Sequence, residues 1–356
     1  MRSRGDKKAL LNSRHMLVRG TNWIGDVIMS LPAISAVKGT CPDIRITVLA
    51  KPWVADLYRI CPDVDEVIIF RSPGVHDGLM GKWRLAMDLN SRGFDAALLL
   101  QNAIEAAIIT GLAGIPIRAG YRTDGRGMLL THPVTVRRGG KTVHQTRYYL
   151  EMVKACGFDC DPGEPSIKPD ETSLEKSSSL LKKHGISEHD LLVGMAPGAA
   201  YGPAKMWYPE RYAAVADRLV ERFACRILLF GSSGDRKQAE IVEAHADHSL
   251  LNVTGSTSLS EAVALMSRCR LFISNDSGLM HVAGALGIPL VAIFGSTNPT
   301  TTSPVGTHSV VIYKHVECSP CLAKTCPKDF RCMDLIRIEE VYRQAETMLR
   351  EELQGK

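Results

Sequence analysis

The chain has 356 residues, of which 45% are hydrophobic and 23% charged, a composition that excludes a disordered or fibrous protein and allows two domains with separate cores. The formal net charge of +5 is modest for this length, so it disfavours a dedicated nucleic-acid binder and permits an anionic substrate. The most apolar window, residues 104–115, is shorter than the about 20 residues that a membrane helix needs, and we expect no membrane span.

The N-terminal segment 1–15 is basic and lacks the apolar core of a secretory signal. We expect a cytoplasmic protein with a basic tail at 1–15. This tail either is disordered or touches the anionic inner face of the cytoplasmic membrane, and disorder is the preferred interpretation.

From Met16 onward, short β-branched runs alternate with amphipathic stretches. The predicted helices cover 26–38, 53–60, 82–92, 103–113 and 145–155; the predicted strands are MLVRG, ITVLA, VIIF, residues 94–100 and IRAGY. Such alternation predicts a parallel, doubly wound sheet. We therefore assign residues 16–165 to a first Rossmann-like domain.

The polar, proline-bearing segment DCDPGEPSIKPDET interrupts the alternation, and we place the interdomain linker there. A second series follows, with strands LLVGMA, RILLFG, LNVTG, LFIS and PLVAIFG and helices at 209–222, 236–246, 259–268 and 278–286. It predicts a second Rossmann-like domain at 166–356, which includes a cysteine-rich segment at 318–332 and a terminal helix. The fold class is thus α/β. A weak internal repeat supports two similar halves, because Gly114 and Gly287 each precede Ile-Pro between a helix and a strand. Chance is the alternative, since Gly followed by Pro commonly ends a helix.

The segment RGTNWIGDVIMSLP joins the first predicted strand to its helix and places Asp26 at the helix start. The carboxyl edge of a doubly wound sheet lines its ligand crevice, so Asp26 is a candidate general base; helix capping is an equally weighted alternative. A helix N-terminus stabilises the anion, which makes Asp26 a weak base suited to a late proton transfer from a sugar hydroxyl. The turn lacks the GxGxxG pattern, so a dinucleotide dehydrogenase is disfavoured.

The segment APGAAYGPAKMWYPERY follows the first strand of the second half. Small residues such as Gly198 and Ala199 let backbone amides approach an anion, and Lys205 adds a compact positive charge, with Trp207 close behind. The alternative is a surface loop with a solvated lysine.

In LFISNDSGLMHVAGALG, polar residues open a helix whose first amides are free to bind a diphosphate. The candidate donor contacts are Asp276, Ser277, Gly278, Leu279 and His281, although His281 could be a core histidine. Two further strand-to-helix turns, at 230–240 with Gly231 and at 254–262, could enclose a base and ribose.

Together, WIGDVIMSLPA, PGAAYGPAKMWYP and NDSGLMHVAGALGIPLVAIFG resemble glycosyltransferase family 9, the ADP-heptose:lipopolysaccharide heptosyltransferases, over residues 16–341. The resemblance implies the GT-B architecture, two Rossmann-like domains that face each other across a cleft, with the acceptor held by the first and the donor by the second. It implies inverting transfer from ADP-L-glycero-β-D-manno-heptose to the heptose-Kdo-lipid A inner core without an obligatory metal. Asp26 would be the catalytic base and Lys205 the residue that neutralises the diphosphate. Ala199, Ala200 and Tyr201 stand where the first enzyme type often has a Thr-rich loop, which favours the second type.

Basic residues crowd the stretch between positions 111 and 150, where Asp124 and no other acid occurs. They are Arg118, Arg122, Arg126, Arg137, Arg138, Lys141 and Arg147. We hypothesise that they form an acceptor surface for phosphate and carboxylate groups, with Arg118, Arg122 and Arg126 as the acceptor contacts. A solvated loop face has equal weight.

Four cysteines lie close together as Cys318, Cys321, Cys326 and Cys332. Their spacing is compatible with an all-sulfur structural zinc site, with disulfides or with free thiols. Other functions also remain open, since fold does not fix function: a nucleotide-sugar epimerase of the same fold, or a nucleotide-sugar binding protein without turnover.

Overall fold

The computed structural model describes residues 7–136, 142–160, 163–306 and 308–355. The chain divides into two compact units, Met1–Ile167 and Lys168–Lys356. Each unit contains one six-stranded parallel sheet within these described ranges, as the alternating sequence pattern predicted.

The first unit contains strands β1–β6 and helices α1–α6. The strands are β1 His15–Arg19, β2 Arg45–Ala50, β3 Glu66–Ile69, β4 Ala96–Leu99, β5 Ile117–Tyr121 and β6 His132–Val134. The helices are α1 Lys7–Leu11, α2 Ile24–Thr40, α3 Ala55–Arg59, α4 Gly78–Asn90, α5 Ile104–Leu112 and α6 Gln145–Cys156. The strand order is β3-β2-β1-β4-β5-β6, so the chain reverses direction across the sheet between β1 and β4.

The second unit repeats this order. Its strands are β7 Leu192–Ala196, β8 Arg226–Leu229, β9 Leu251–Asn252, β10 Leu271–Asn275, β11 Leu290–Phe294 and β12 Ser309–Tyr313. Its helices are α7 Glu171–Lys183, α8 Pro209–Phe223, α9 Arg236–His245, α10 Leu259–Met266, α11 Gly278–Ala285, α12 Pro299–Thr302, α13 Arg331–Asp334 and α14 Ile338–Gln354. The order β12-β11-β10-β7-β8-β9 reverses between β7 and β10.

The repeated helix-Gly-Ile-Pro-strand pattern occupies equivalent places in the two units, because β5 and β11 are both the fifth strand of their sheet. Gly114 follows α5 at φ +68° and Gly287 follows α11 at φ +70°. Only glycine adopts this left-handed conformation freely, and it ends both helices in the same way.

The central strands are buried on both faces, which explains their nearly continuous apolar sequences. In the first sheet Val18 pairs with Val48 and Leu98; in the second Ile273 pairs with Met195 and Val291. Helices cover both faces, and the loops that follow the strands gather at each sheet's carboxyl edge.

The predicted tail at 1–15 requires a correction. Residues Lys7–Leu11 form α1, and Leu10 is fully buried. The Cys41 thiol lies 3.2 Å from the Leu11 carbonyl oxygen, to which it can donate. Burial of one leucine and packing beside α2 hold this segment on the first unit. Residues 1–6 lie outside the described ranges.

Candidate functional site

In the second unit, the loops that follow β7, β10 and β11 leave neighbouring strands at the same carboxyl edge. The chain reverses its direction across the sheet between β7 and β10. In doubly wound sheets this reversal opens a crevice in which ligands bind. Most candidate donor residues predicted from sequence lie in these loops or at the start of α11, whereas Gly231 follows β8.

Lys205, Asp276 and Thr297 come together from these three loops. The Lys205 ammonium nitrogen lies 2.6 Å from Asp276 Oδ2, and the Thr297 hydroxyl donates to the same oxygen at 2.5 Å. The Asp276 side chain is only 4% exposed. An ammonium group has three donors, so Lys205 is positioned by the carboxylate and keeps donors for a ligand anion. Thr297 was not predicted from sequence; the available signal was a polar residue three positions after a buried strand.

Asn275 holds the loop after β7 against β10. Its side-chain oxygen accepts hydrogen bonds from the Trp207 amide at 3.0 Å and the Tyr212 hydroxyl at 3.1 Å. Its side-chain nitrogen donates to the Pro197 carbonyl at 2.7 Å. Asn275 is fully buried, and these bonds fix the loop that carries Lys205.

Trp207 is a core residue, so the prediction that it contacts the donor is wrong. Its side chain is 1% exposed, and its indole nitrogen donates to the Ile336 carbonyl at 3.1 Å. The indole packs edge-on against Tyr212. An aromatic residue beside a small-residue loop looks like a ligand contact in sequence, but here it anchors the loop to the core.

The N-terminus of α11, which the sequence predicts to bind a diphosphate, lies at this carboxyl edge. Ser277 is the N-cap, and its side chain makes no capping hydrogen bond to the helix. Instead its hydroxyl lies 3.1 Å from that of Ser274. The first amides of a helix, here those of Gly278 and Leu279, have no intrahelical acceptor. These amides form the positive end of the helix dipole and lie beside Lys205. Both features favour the binding of an anionic group.

His281 is the fourth residue of α11 and is 3% exposed. Such burial is typical of a core residue. The sequence left open whether His281 is a core residue or a ligand contact, and its burial favours the first interpretation.

The side of Gly198 and Gly231 on which a side chain would stand faces a neighbouring carboxylate, and their assignment as donor contacts stays a prediction. A Cβ atom on Gly198 would lie 2.1 Å from Asp235 Oδ1, and one on Gly231 would lie 2.8 Å from the Asp235 Cβ. The Asp235 carboxylate accepts hydrogen bonds from the amide and hydroxyl of Ser232. The two glycines therefore accommodate the capping carboxylate of the neighbouring loop. Sequence reasoning missed Asp235.

The short loop before Lys205 places an aromatic ring beside the lysine. Ala199 is buried, and the Lys205 ammonium nitrogen lies 5.0 Å from the centre of the Tyr201 ring. The Tyr201 hydroxyl donates to the Leu322 carbonyl at 2.7 Å. Tyr201 thus restricts Lys205 from a second side.

In the first unit, Asp26 lies in the first turn of α2, at the carboxyl edge and beside the reversal between β1 and β4. The N-cap of α2 is Trp23, and Asp26 is the third helical residue, so simple N-capping by Asp26 is wrong. Asp26 is half-buried. Burial is the main cause that raises the pKa of Tyr149, and the charge of Asp26 raises this pKa further.

A close backbone approach shapes the turn before Asp26. The Tyr58 hydroxyl accepts a hydrogen bond from the Thr21 amide at 2.9 Å, and a Cβ atom on Gly20 would lie 2.7 Å from that hydroxyl oxygen. Glycine is required there, which explains the RGT sequence at the end of β1.

Two buried cations at this edge were not predicted. Arg19 is 1% exposed and donates to the carbonyls of Gly20 and Leu49; burial lowers its pKa to about 10. Lys51 is 8% exposed, donates to the Ser72 carbonyl and lies 4.0 Å from the centre of the Phe70 ring. Arg19 ends β1 and Lys51 directly follows β2, so both cations lie at the edge that carries Asp26.

The three arginines predicted to bind the acceptor do not share one surface. Arg126 is fully buried and donates to the carbonyls of Tyr121 and Gln101 and to the Asn102 side chain; burial lowers its pKa to about 10. Arg126 therefore ties its loop to the end of β4 and is not a surface contact.

Arg118 lies near the amino end of β5, where its guanidinium donates to the carbonyls of Ile115 and Leu129. That end is opposite the edge that carries Asp26, so the prediction for Arg118 also needs correction. Arg122 directly follows β5 at the carboxyl edge and is exposed, as an acceptor contact requires. Arg137, Arg138 and Lys141 lie outside the described residues.

The four C-terminal cysteines surround a small cavity of about 60 Å³ and are all free thiols. Burial, followed by the nearby thiols, raises the pKa of Cys332. In the part of the chain that the structure describes, no group of three or more His, Cys, Asp or Glu side chains is arranged to hold a metal ion. The geometry gives the structural-zinc prediction no support, and the pairing into disulfides is not observed.

Among the described residues, none of the helices has the length and hydropathy needed to cross a membrane.

Comparisons with known proteins agree with this geometry. The sequence model of glycosyltransferase family 9 (heptosyltransferase) matches residues 82–330. Lipooligosaccharide heptosyltransferase 2 of Haemophilus ducreyi is 33% identical over 83% of this chain and 88% of its own length. Lipopolysaccharide heptosyltransferase 2 of Salmonella typhimurium is 33% identical over 83% and 87%. The solved structure of ADP-heptose lipopolysaccharide heptosyltransferase II from Escherichia coli superimposes with a TM-score of 0.81 at 26% identity, covering 96% of this chain and 99% of that one.

Proposed function

Since the chain belongs to glycosyltransferase family 9, we propose that it transfers a heptose from ADP-L-glycero-β-D-manno-heptose to heptose-Kdo-lipid A in the lipopolysaccharide inner core. The chain is a glycosyltransferase, and its relatives named heptosyltransferase 2 favour the second enzyme type. The observation that carries the proposal is the Lys205–Asp276 pair at the reversal of the second sheet, beside the uncapped start of α11.

The second unit is proposed to hold the ADP part of the donor. The amides of Gly278 and Leu279 would donate to the diphosphate oxygens, and the dipole of α11 stabilises their charge. Lys205 would bind the same oxygens while Asp276 keeps its ammonium group in place. As the bond between the sugar and the diphosphate breaks, negative charge grows on ADP. The amides and Lys205 therefore stabilise the transition state more than they stabilise bound ADP-heptose.

The first unit is proposed to hold the acceptor beside Asp26. The Asp26 carboxylate would take the proton of the attacking hydroxyl as the new bond to the anomeric carbon forms and the bond to ADP breaks. A single displacement of this kind inverts the anomeric centre. The exposed guanidinium of Arg122 and the positive charge of Arg19 and Lys51 favour an acceptor with phosphate or carboxylate groups.

An acceptor anchored by lipid A lies in a membrane, so we propose that the protein works in peripheral contact with the inner face of the cytoplasmic membrane. The basic residues at the carboxyl edge of the first sheet are compatible with an anionic surface.

The test begins with donor binding by calorimetry with ADP, UDP and GDP, followed by release of ADP from ADP-heptose in the presence of heptosylated Kdo-lipid A. We expect a preference for ADP and release that depends on the acceptor. Conversion of the donor without acceptor would support an epimerase instead and overturn the proposal.

The variant Asp26→Asn keeps the size of the side chain and removes its basicity. We expect turnover to fall at least about 10²-fold while donor affinity stays within twofold. Loss of turnover and donor binding together would show that Asp26 is structural.

A further inference from the structure

Helix α4 exposes an apolar face. Leu79, Met80, Trp83 and Met87 are between 39% and 89% exposed. Leu79, Trp83 and Met87 recur at intervals of four residues, so they line one side of the helix. The opposite side is buried in the core of the first unit through Leu85 and its neighbours.

Helix α5 repeats this arrangement. Ile104, Ile108 and Leu112 are between 40% and 52% exposed and also recur every four residues. The inner face of α5 is buried through Ala107 and Ile109 in the same core as α4. Neither exposed face is needed to complete that core.

The two helices are neighbours on one face of the sheet. Lys82 on α4 and Glu105 on α5 form an ion pair at 2.9 Å, which joins them near their N-termini. Their exposed apolar side chains therefore belong to one layer of the first unit. Several large apolar side chains exposed in one layer are typical of an interaction site.

The loop before α4 extends this surface. Val75 is 60% exposed, although the loop is tightly built: the Gly74 amide donates to Asp77 Oδ2 at 2.7 Å. A Cβ atom on Gly81 would lie 2.5 Å from the His76 carbonyl carbon, so glycine lets the loop pack directly on the helix. Val75 is held outward by a defined backbone.

The charges around this surface favour an anionic partner. Residues 71–92 contain four cations and two carboxylates. Arg71 and Arg84 are exposed, and Asp88 lies 3.6 Å from Arg92. Exposed leucine, methionine and tryptophan bordered by arginine are the side chains that enter the headgroup region of an anionic bilayer.

The surface also adjoins the edge at which the acceptor is proposed to bind. Helices α2, α4 and α5 each begin where the chain leaves the carboxyl edge of the first sheet. Leu79 and Ile104 lie in the first turn of α4 and α5, as Asp26 does in α2. A bilayer against these helix starts would present a lipid-anchored sugar to the same edge.

We propose that the outer faces of α4 and α5, together with Val75, dock this protein on an anionic lipid bilayer. The proposal rests on the proposed function, because a lipid-anchored acceptor is the reason for a membrane partner. It places the contact on folded helices of the first unit rather than on the basic N-terminal segment.

The first experiment is flotation of the full chain with vesicles of phosphatidylethanolamine and phosphatidylglycerol, and with neutral phosphatidylcholine vesicles. We expect the protein to float with the anionic vesicles. The double variant Leu79→Glu/Trp83→Glu should lower the bound fraction at least about tenfold, since it places two carboxylates at the apolar centre of the surface. Leu353→Glu, at a site that is 46% exposed on α14, is the matched control and should bind like the parent chain.

The second experiment separates docking from catalysis. The Leu79→Glu/Trp83→Glu variant is assayed with acceptor embedded in the anionic vesicles and with the deacylated, water-soluble acceptor. We expect transfer to the embedded acceptor to fall in parallel with binding, and transfer to the soluble acceptor to stay within twofold. Thermal unfolding of both variants checks that they are folded.

The outcomes distinguish the two proposals. Unchanged vesicle binding by the double variant overturns the docking surface even if heptose transfer is measured. Absence of transfer by the parent chain on either acceptor overturns the proposed function, while flotation still reports on docking. If sedimentation velocity shows that the parent chain dimerises and the double variant does not, with vesicle binding unchanged, the surface binds a second copy and the bilayer is excluded.

Discussion

The Lys205 ammonium nitrogen lies 2.6 Å from Asp276 Oδ2 and thereby joins the two loops that border the reversal of the second sheet. Both side chains are largely buried, with exposed fractions of 14% and 4%. Pairing restricts the lysine, which otherwise has many rotamers. A donor diphosphate would therefore meet a cation already in position, and less of its binding energy would be spent on ordering the side chain.

This pairing predicts strong coupling between the two residues. Lys205→Ala and Asp276→Asn should each lower the free energy of unfolding by about 3 kcal/mol, because each leaves a buried partner unsatisfied. The loss of unfolding free energy in the double variant should be smaller than the sum of the two single losses by about 1–3 kcal/mol. Urea unfolding measures all three.

Turnover provides the second measurement of the pair. We expect Lys205→Ala to lower kcat by about 10²-fold or more, since a donor that stabilises departing charge is lost. Lys237→Ala, at an exposed site in the same unit, should leave kcat unchanged. Equal effects of the two lysine variants would remove Lys205 from the proposed step.

The space above Gly198 predicts a specific steric effect. Gly198→Ala should destabilise the second unit by about 1–3 kcal/mol, because the new methyl group would overlap Asp235 Oδ1. Asp235→Ala in the same chain should recover part of this loss. Gly234→Ala is the control: its nearest neighbour would be Ser232 Oγ at 3.5 Å, and its stability should stay within about 0.5 kcal/mol. A donor KM that rises in Gly198→Ala with no loss of stability would instead favour a direct contact between Gly198 and the donor.

Much of the fold follows from the sequence because its strongest signals are local. Apolar runs of β-branched residues separated by amphipathic stretches predict buried parallel strands and covering helices. Asp276, directly after a strand, and Asp26, in the first turn of the helix that follows a strand, are placed at the carboxyl edge by topology alone. The edge strand β6 was missed because HPV is short and contains a proline, which edge strands tolerate.

What the sequence could not provide are contacts between distant segments. Trp207 and Arg126 are residue types that often contact ligands. In the structure, however, Trp207 donates its indole hydrogen bond to the Ile336 carbonyl, and Arg126 donates to the Tyr121 carbonyl. Asp235 lies 37 positions from the glycine that makes room for it. These roles depend on which loops meet, and one sequence does not encode that by spacing.

The two neighbouring arginines predict opposite effects. Arg126→Ala should lower the free energy of unfolding by about 3 kcal/mol, because buried carbonyls would lose their donors. Arg122→Ala, at an exposed site, should change stability by less than about 0.5 kcal/mol and raise the acceptor KM. Urea unfolding and acceptor titration measure both. An acceptor KM unchanged in Arg122→Ala would contradict the acceptor surface.

Four buried thiols predict a loss of stability at alkaline pH. Burial raises the pKa of Cys61, Cys156, Cys225 and Cys269 from 9.0 to about 12. The unfolded chain therefore loses these protons near pH 9 while the folded chain keeps them, and stability falls as pH rises from about 9 toward 12. Between pH 8 and 9.5 the loss is about 0.8 kcal/mol per thiol. This range lies below pH 10, where the depressed pKa values of Arg19 and Arg126 begin to act with the opposite sign.

One variant isolates this effect. Urea unfolding of Cys225→Ala at pH 8 and 9.5 should show a smaller decrease than the parent chain by about 0.8 kcal/mol, because one titrating thiol is gone. Ile227→Val removes a methyl group from the same core, in the strand that Cys225 directly precedes; it should be less stable at both pH values with an unchanged decrease. If both variants keep the full decrease, Cys225 ionises in the folded chain as it does in the unfolded chain, and burial in this core does not suppress its thiolate.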